Sequence, residues 1–461
     1  MARLILVSNR LPVTVMMREG SVQTVSSAGG LATGLKEPHE QSNGLWIGWP
    51  GRTEHLSPAL LGILEQQLAA LGTVPVYLTD QEVDRFYEGY ANGLLWPLFH
   101  YITGPMPLRV EGWREYRAVN ERFASVVAKH YQHGDMIWVH DYQLMLVPQM
   151  LRERIPDARI GFFLHTPFPS SELFATLPQR RQIMLGMLGA DLIGLHTSWY
   201  QCHFERSLER VLGVRSHNGR VGINGRCVQL GVFPIGVDAK KFNEAAATPE
   251  VDTEVARLRS EDTRLLVGID RLDYTKGIPR RLLAFEELLN RRPEWRGKVR
   301  LIQVAVPSRT GVRAYKRFRQ EVDAVVGRIN GMFGTPHSVP VHYLYRSVDD
   351  ERLIALYRAA DAMLVTPIRD GMNLVAKEFI ASRIDEDGVL VLSEFAGAAA
   401  HLREALLVNP YDVEHMADAY HAALTMEEHE RRTRMRALRE RVFAFDIHDW
   451  VKAFLAALST S

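Results

Sequence analysis

Arg271 and Lys276 close an apolar run in Gly268-Ile269-Asp270-Arg271-Leu272-Asp273-Tyr274-Thr275-Lys276-Gly277. Arginine offers a planar fork for oxygens and lysine a compact charge. A leaving diphosphate needs cations placed like this as its charge builds. A second stretch, residues 366–378 with sequence TPIRDGMNLVAKE, comes after the apolar residues 362–365. It reads as a buried strand, a polar turn centred on Gly371, and a helix resuming at Leu374-Val375-Ala376-Lys377-Glu378. The start of such a helix carries free N–H groups and partial positive charge, which suits a phosphate. Asn373 is the expected N-cap. Glu378, about one turn in, can accept hydrogen bonds from two neighbouring hydroxyls. A capped strand-to-helix turn or a solvated Arg and Lys would explain either stretch alone. Both in one domain favour group transfer from a nucleotide.

Further polar residues recur just past other apolar runs. Gly29 and Gly30, in Ser27-Ala28-Gly29-Gly30-Leu31, precede a helical pattern and suggest backbone lying against a ligand. Arg309 adds a third cation after another strand, and Arg10 and Arg309 could clamp a phosphate on an acceptor. Asp141 and Tyr87 could hydrogen-bond its sugar hydroxyls. Trp96, in the aromatic stretch 86–101, is either core or a platform for a sugar face.

These residues require strands that end on one rim. Short apolar runs at 4–7, 46–49, 74–78, 136–139, 160–164, 192–195 and 228–232 alternate with helical patterns. A second series lies at 265–269, 299–304, 341–345, 362–365, 389–392 and 406–408. Such alternation implies doubly wound parallel sheets, whose ligands bind at the carboxyl ends of the strands. Residues 11–26 read as a loop and 214–226 as a surface hairpin or loop. We place an acceptor domain at 1–238 and a nucleotide-sugar domain at 239–445. A terminal helix at 446–461 is expected to cross back to the first domain.

The 461 residues hold 46% apolar and 24% charged side chains, with 55 Lys plus Arg against 54 acidic residues. That is an ordinary globular composition with room for two cores. A net charge of +1 gives no reason to expect a nucleic-acid or membrane partner. Cys202 and Cys227 give neither a disulfide framework nor a zinc signature, and no apolar run reaches membrane-spanning length. A cytoplasmic enzyme is expected. Walker, metalloprotease and serine-elbow spacings are missing, and His130 and His133 lack further metal ligands nearby. Asp370 and Glu378 could be a hydrolase's carboxylate pair, but a hydrolase has no need of Arg271, Lys276 and a helix start aimed at a diphosphate.

The segments SAGGLATGL, LLWPLFHY, WVHDYQLMLVP, GFFLHTPFPSSE, DRLDYTKG, RINGMFG and TPIRDGMNLVAKE together make the chain resemble the trehalose-6-phosphate synthases, retaining glycosyltransferases of family 20. The resemblance spans nearly the whole length and implies a GT-B fold, two Rossmann-like domains facing each other across a cleft. It implies transfer of glucose from UDP-glucose to glucose 6-phosphate with retained configuration, no metal and no other cofactor, in the short synthase-only form. A homo-oligomer is expected. Carried over, Arg10, Tyr87, Asp141 and Arg309 form the glucose-6-phosphate pocket and Trp96 its floor. Gly29 and Gly30 lie over the donor, and Arg271 and Lys276 clamp its diphosphate. Asp370 and His165 hold hydroxyls of the transferred glucose, and Leu374 to Glu378 hold diphosphate and ribose, with Glu378 on the ribose. Val348 stands where a phenylalanine is found at the nucleotide base, which opens the question of GDP or ADP donors. The mechanism implied is front-face, the leaving phosphate oxygen taking the acceptor's proton. A relative with another phosphorylated acceptor, such as glycerol 3-phosphate or a cyclitol phosphate, and a non-catalytic sugar-phosphate sensor are the alternatives.

Overall fold

A computed structural model describes every residue except 1–2, 19–20, 27–29, 105–109, 260–261 and 309–312. For 17–18, 26, 30–33, 37 and 313–314 it describes the backbone alone. The chain forms two compact units, Met1–Pro234 with Trp450–Ser461, and Ile235–Asp449.

The first unit holds β1 (Leu4–Arg10), β2 (Val13–Arg18), β3 (Ser21–Ser26), β4 (Leu45–Trp49), β5 (Thr73–Pro75), β6 (Met136–His140), β7 (Arg159–Phe163), β8 (Leu192–Leu195), β9 (Ser216–His217), β10 (Arg220–Ile223) and β11 (Arg226–Val232). Nine of these form one sheet in the order β5-β4-β1-β6-β7-β8-β11-β10-β9. Its seven strands from β5 to β11 are parallel, and β10 and β9 add an antiparallel edge. The parallel strands are near-continuous apolar runs because helices cover both faces.

Residues 11–26, expected as a loop, instead pair as the β2–β3 hairpin, from Val13↔Ser26 to Arg18↔Ser21. Val13 and Val22 are buried while Thr14 and Gln23 are exposed, the period-two pattern of a strand with one covered face.

The terminal helix, Ile447–Thr460, packs its later residues on the first unit. The Phe454 ring stacks on Trp138 with centroids 4.2 Å apart, and Trp450 lies 5.0 Å from the same ring. Gly161 and Gly194 make room for Phe454, since a Cβ on either would sit 2.7 Å from it. The units divide at Pro234/Ile235, ahead of the expected join at 238/239, because Ile235 and Val237 are bound to the second unit. Ile235 O accepts from Lys377 Nζ at 2.7 Å, and Val237 O from Ile447 N at 3.2 Å.

The second unit holds β12 (Arg264–Arg271), β13 (Val299–Val306), β14 (Val341–Leu344), β15 (Ala362–Val365), β16 (Val389–Ser393) and β17 (Leu406–Val408). They form one parallel sheet in the order β14-β13-β12-β15-β16-β17. Counted along the chain this is the 3-2-1-4-5-6 order of a Rossmann sheet, and the first unit's parallel strands begin the same way. Each sheet therefore has a switch point where the winding reverses: between β1 and β6, and between β12 and β15. Ligands of such sheets bind in the crevice past the strand ends at this point.

Candidate active-site residues

In the second unit the switch point brings together groups that are far apart in sequence. β12 and β15 pair only at Leu266↔Ala362 and Val267↔Met363, so the ladder ends well before the rim. Arg271 is the exposed last residue of β12. Lys276 ends the tight turn Tyr274–Lys276, and its ammonium ion-pairs with Asp370 Oδ2, both side chains largely buried. The turn is tied to the loop after β15 by Ile368 N, which donates to Thr275 O at 2.8 Å.

Beneath it lies a wholly buried guanidinium, Arg281. It donates to Asp270, to Gln303 Oε1 at 2.9 Å and to Thr366 Oγ1 at 3.0 Å. Its remaining nitrogen reaches the Lys276 carbonyl at 3.4 Å. A charge this deep persists only when its donors are satisfied, so this network fixes both rim loops.

The helix after β15 runs Leu374–Ser382. Asn373 occupies its N-cap position but does not cap it. The residue takes a left-handed backbone (φ 69°), and its side-chain amide donates to Asp370 Oδ2 at 3.2 Å. A capping residue has extended backbone and accepts through its side-chain oxygen, so the left-handed Asn373 leaves the first-turn N–H groups of the helix without its cap. Leu374 and Val375 are half-buried and Ala376 is buried.

Glu378 accepts from the buried Tyr357 hydroxyl at 2.7 Å, and burial pushes its carboxyl above the usual range against that hydrogen bond. The Lys377 side chain departs from the expected diphosphate role. It points to Ile235 O and is buried, which pulls its pKa down to about 8. Only its backbone remains for a donor. Val348 is half-buried past β14. A cavity of about 500 Å³ opens along the same rim, lined by Leu272, Ser308, Tyr315, Arg319 and Tyr345 among others.

In the first unit Arg10 ends β1 and its guanidinium lies 4.6 Å over the Trp49 ring. Tyr87 packs edge-on against the same ring at 5.6 Å. Tyr87 sits in a wide-turned helical segment, Val83–Leu95, that runs into Trp96–Phe99. Trp96 is 7% exposed and packs on His100 and Tyr142, so it is chiefly core with one edge open.

Asp141, just past β6, has φ 74° and ψ 171°, a region that only glycine adopts without cost. It is held there by its own N–H on Phe163 O (2.8 Å) and by its carboxylate, which accepts from His165 N at 3.2 Å. His165 lies just past β7 and contacts His140 and His196. Asn9 is buried beside Arg10, and neither its amide nitrogen nor its oxygen has a partner among the described residues. Gly29 and Arg309 lie outside the described residues. Gly30 begins the helix Gly30–Gln41.

Two Rossmann-like units with polar side chains gathered at each switch point are the build of the GT-B glycosyltransferases. The chain belongs to glycosyltransferase family 20, whose model matches residues 2–460. The alpha,alpha-trehalose-phosphate synthase [UDP-forming] 1 of Aspergillus fumigatus is 45% identical over 466 residues, covering 99% of this chain and 90% of its own. An E. coli trehalose-6-phosphate structure bound with UDP-2-fluoro glucose superposes with TM-score 0.89 at 35% identity, covering 99% of each chain. The alpha,alpha-trehalose-phosphate synthase (UDP-forming) of Burkholderia xenovorans in complex with glucose-6-phosphate gives TM-score 0.87 at 33% identity, over 99% of this chain and 100% of that one.

Sequence reasoning missed Arg281, which reads as one of two surface arginines at Arg280-Arg281. Its signal was there in Asp270 and Gln303, polar residues inside apolar strands. The contact between His140 and His165 had a weaker signal, two strands ending in histidine. Nothing in the sequence marks the Asp141 backbone.

Proposed function

We propose that the chain transfers glucose from UDP-glucose to glucose 6-phosphate, giving α,α-trehalose 6-phosphate and UDP with the donor's anomeric configuration retained. The observation that carries this reading is the switch point of the second unit. Lys276, Asp370 and the uncapped start of helix Leu374–Ser382 converge there on a rim that also ends in Arg271. On this reading Arg271, Lys276 and the N–H groups of Leu374, Val375 and Ala376 bind the diphosphate. Glu378 accepts from the ribose, and Asp370 from hydroxyls of the transferred glucose.

In the first unit Arg10, Tyr87 and Asp141 bind glucose 6-phosphate with Arg309, over Trp96. His165 contacts a substrate hydroxyl. The bond from the glucose anomeric carbon to the phosphate oxygen breaks as the bond to the acceptor oxygen forms. The acceptor's proton goes to the leaving phosphate oxygen, so no protein nucleophile is needed. Catalysis then rests on positioning and on charge held ready for the leaving group.

Two side-chain cations and a helix end supply that charge, so the reaction proceeds without a metal ion. Among the described residues no helix is long and apolar enough to cross a membrane. Both substrates are phosphate esters, which argues for a cytoplasmic reaction.

The test mixes enzyme with UDP-, GDP- or ADP-glucose and a panel of phosphorylated acceptors, with and without EDTA. UDP release and trehalose 6-phosphate from UDP-glucose and glucose 6-phosphate, unchanged by EDTA, are expected. Glucose-6-phosphate binding without turnover of any donor would overturn the reading.

A further inference from the structure

The carboxyl rim of the first unit gathers three imidazoles from successive strands. His140 closes β6, His165 comes just after β7, and His196 just after β8. His140 Nδ1 lies 3.1 Å from His165 Nε2, and the His165 and His196 rings meet edge-on at 5.6 Å. His140 is wholly buried against Trp138, whose ring centroid is 4.7 Å away. Its other nitrogen, Nε2, has no hydrogen-bond partner among the described residues. Burial first, and then the neighbouring imidazole, holds both His140 and His165 well below the ordinary histidine range. Both rings are therefore neutral near pH 7.

A neutral imidazole carries one N–H, and the contact between the two rings holds one proton. Were that proton on His165 Nε2, His140 would have to carry its own on Nε2, burying an N–H with no acceptor. With the proton on His140 Nδ1, the buried orphan is only a lone pair. Orphaned buried N–H groups are the rarer and costlier case.

We propose that His140 is a positioning residue that fixes His165 as the Nδ1–H tautomer, so that His165 meets a substrate hydroxyl oxygen as a hydrogen-bond donor and not as a base. The proposal rests on the reading of His165 as a substrate contact. It agrees with a transfer in which the leaving phosphate oxygen takes the proton and the protein supplies no base. A donor also holds a hydroxyl oxygen in one orientation, which is the form of help a positioning-driven reaction uses. Among the described residues the other polar groups facing His165 include the Asp141 carboxylate, which accepts from the His165 backbone N–H at 3.2 Å, the edge of His196, and the Trp450 indole with ring centroids 6.0 Å apart.

The tautomer is read directly by long-range ¹H–¹⁵N spectra of the full-length protein with ¹⁵N-labelled histidine, free and with UDP-glucose. A protonated Nδ1 and bare Nε2 on His165 are expected; the reverse would overturn the proposal. His140→Phe, lacking any donor, should lose the tautomer preference and lower kcat about tenfold with KM for UDP-glucose little changed. His140→Asn, which places an amide N–H near the lost Nδ1, should recover most of both, with thermal melts confirming that each variant folds. Retention of tautomer and kcat in His140→Phe would also overturn it. A tautomer as assigned beside wild-type turnover in His165→Ala would sustain the ring assignment while refuting the substrate contact.

Discussion

Gly397→Ala isolates how tightly the Asp370 loop must be held. Gly397 begins a short turn after β16, and a Cβ there would lie 1.9 Å from the Gly371 carbonyl oxygen. Ordinary contact begins near 3.4 Å, so the loop must retreat by about 1.5 Å. No flexible side chain can absorb the move, because the neighbour is backbone. The loop is also bonded to the same turn, by Gly397 N to Asp370 O at 3.1 Å, Ala398 N to Met372 O at 3.0 Å, and Asp370 N to Phe395 O at 3.2 Å. Asp370 must therefore shift with it, which disturbs its ion pair with Lys276.

Overpacking of this kind costs about 1–3 kcal/mol, which for a unit of this size lowers Tm by about 2–12 °C. A displacement of about 1 Å in a positioning group costs about 10²-fold in rate, or about 2.7 kcal/mol of barrier. The assay is UDP release at saturating UDP-glucose and glucose 6-phosphate, beside a thermal melt. Gly327→Ala is the control, since its Cβ would meet nothing within 4 Å on the exposed face of helix Arg313–Phe333. It should keep wild-type kcat and gain slightly in Tm. Wild-type kcat in Gly397→Ala, whatever its Tm, would refute the claim that the turn sets Asp370 for the reaction.

Lys276→Ala should lower kcat by about 10²–10³-fold while changing Tm little, since Asp370 keeps its Asn373 donor and some water; a melt shift larger than the rate loss would make the pair structural. Arg281→Met should cost about 3–5 kcal/mol in a urea melt by stranding the buried Asp270 carboxylate. Adding Asp270→Leu should restore part of it, and additive losses in the double variant would count against the network. Lys377 gives a pH test whose sign is fixed: its pKa is 10.5 unfolded and about 8 folded. Between those values the unfolded chain binds a proton that the folded one refuses, so wild-type stability should rise by about 3 kcal/mol from pH 8 to 10.5 through this residue. Urea midpoints of wild type and Lys377→Met should diverge over that window, and parallel curves would contradict it.

The elements that carry the site were largely legible because parallel strands buried on both faces are written as unbroken apolar runs. Residues 192–195, 362–365 and 406–408 are strands β8, β15 and β17 to the residue. The polar residues just past such runs sit on the rim, so Arg10, Asp141, His165, Arg271 and Lys276 could be picked out by position. The β2–β3 hairpin escaped because its apolar alternation is weak. Asn373 misled because asparagine suits both an extended capping position and a left-handed turn, and the residue type alone does not say which the chain adopts.

The remaining gap has one physical cause. A sequence shows where a polar residue stands along the chain, but the cost of burying it depends on what other segments bring to it. Arg281, Asp270, Gln303 and Thr366 come from one helix, two strands and the loop after a third, and no one of them alone shows that a guanidinium is buried among them. Together they bury a full positive charge at the switch point, which is stable only if every donor is met. The rim loops bearing Lys276 and Asp370 are two of the segments so tied. The chain displays the rim cations proposed to meet a ligand and hides the buried one that ties their loops together. If the site works by positioning, the buried arginine should prove as necessary to turnover as the rim lysine, and for a reason no motif records.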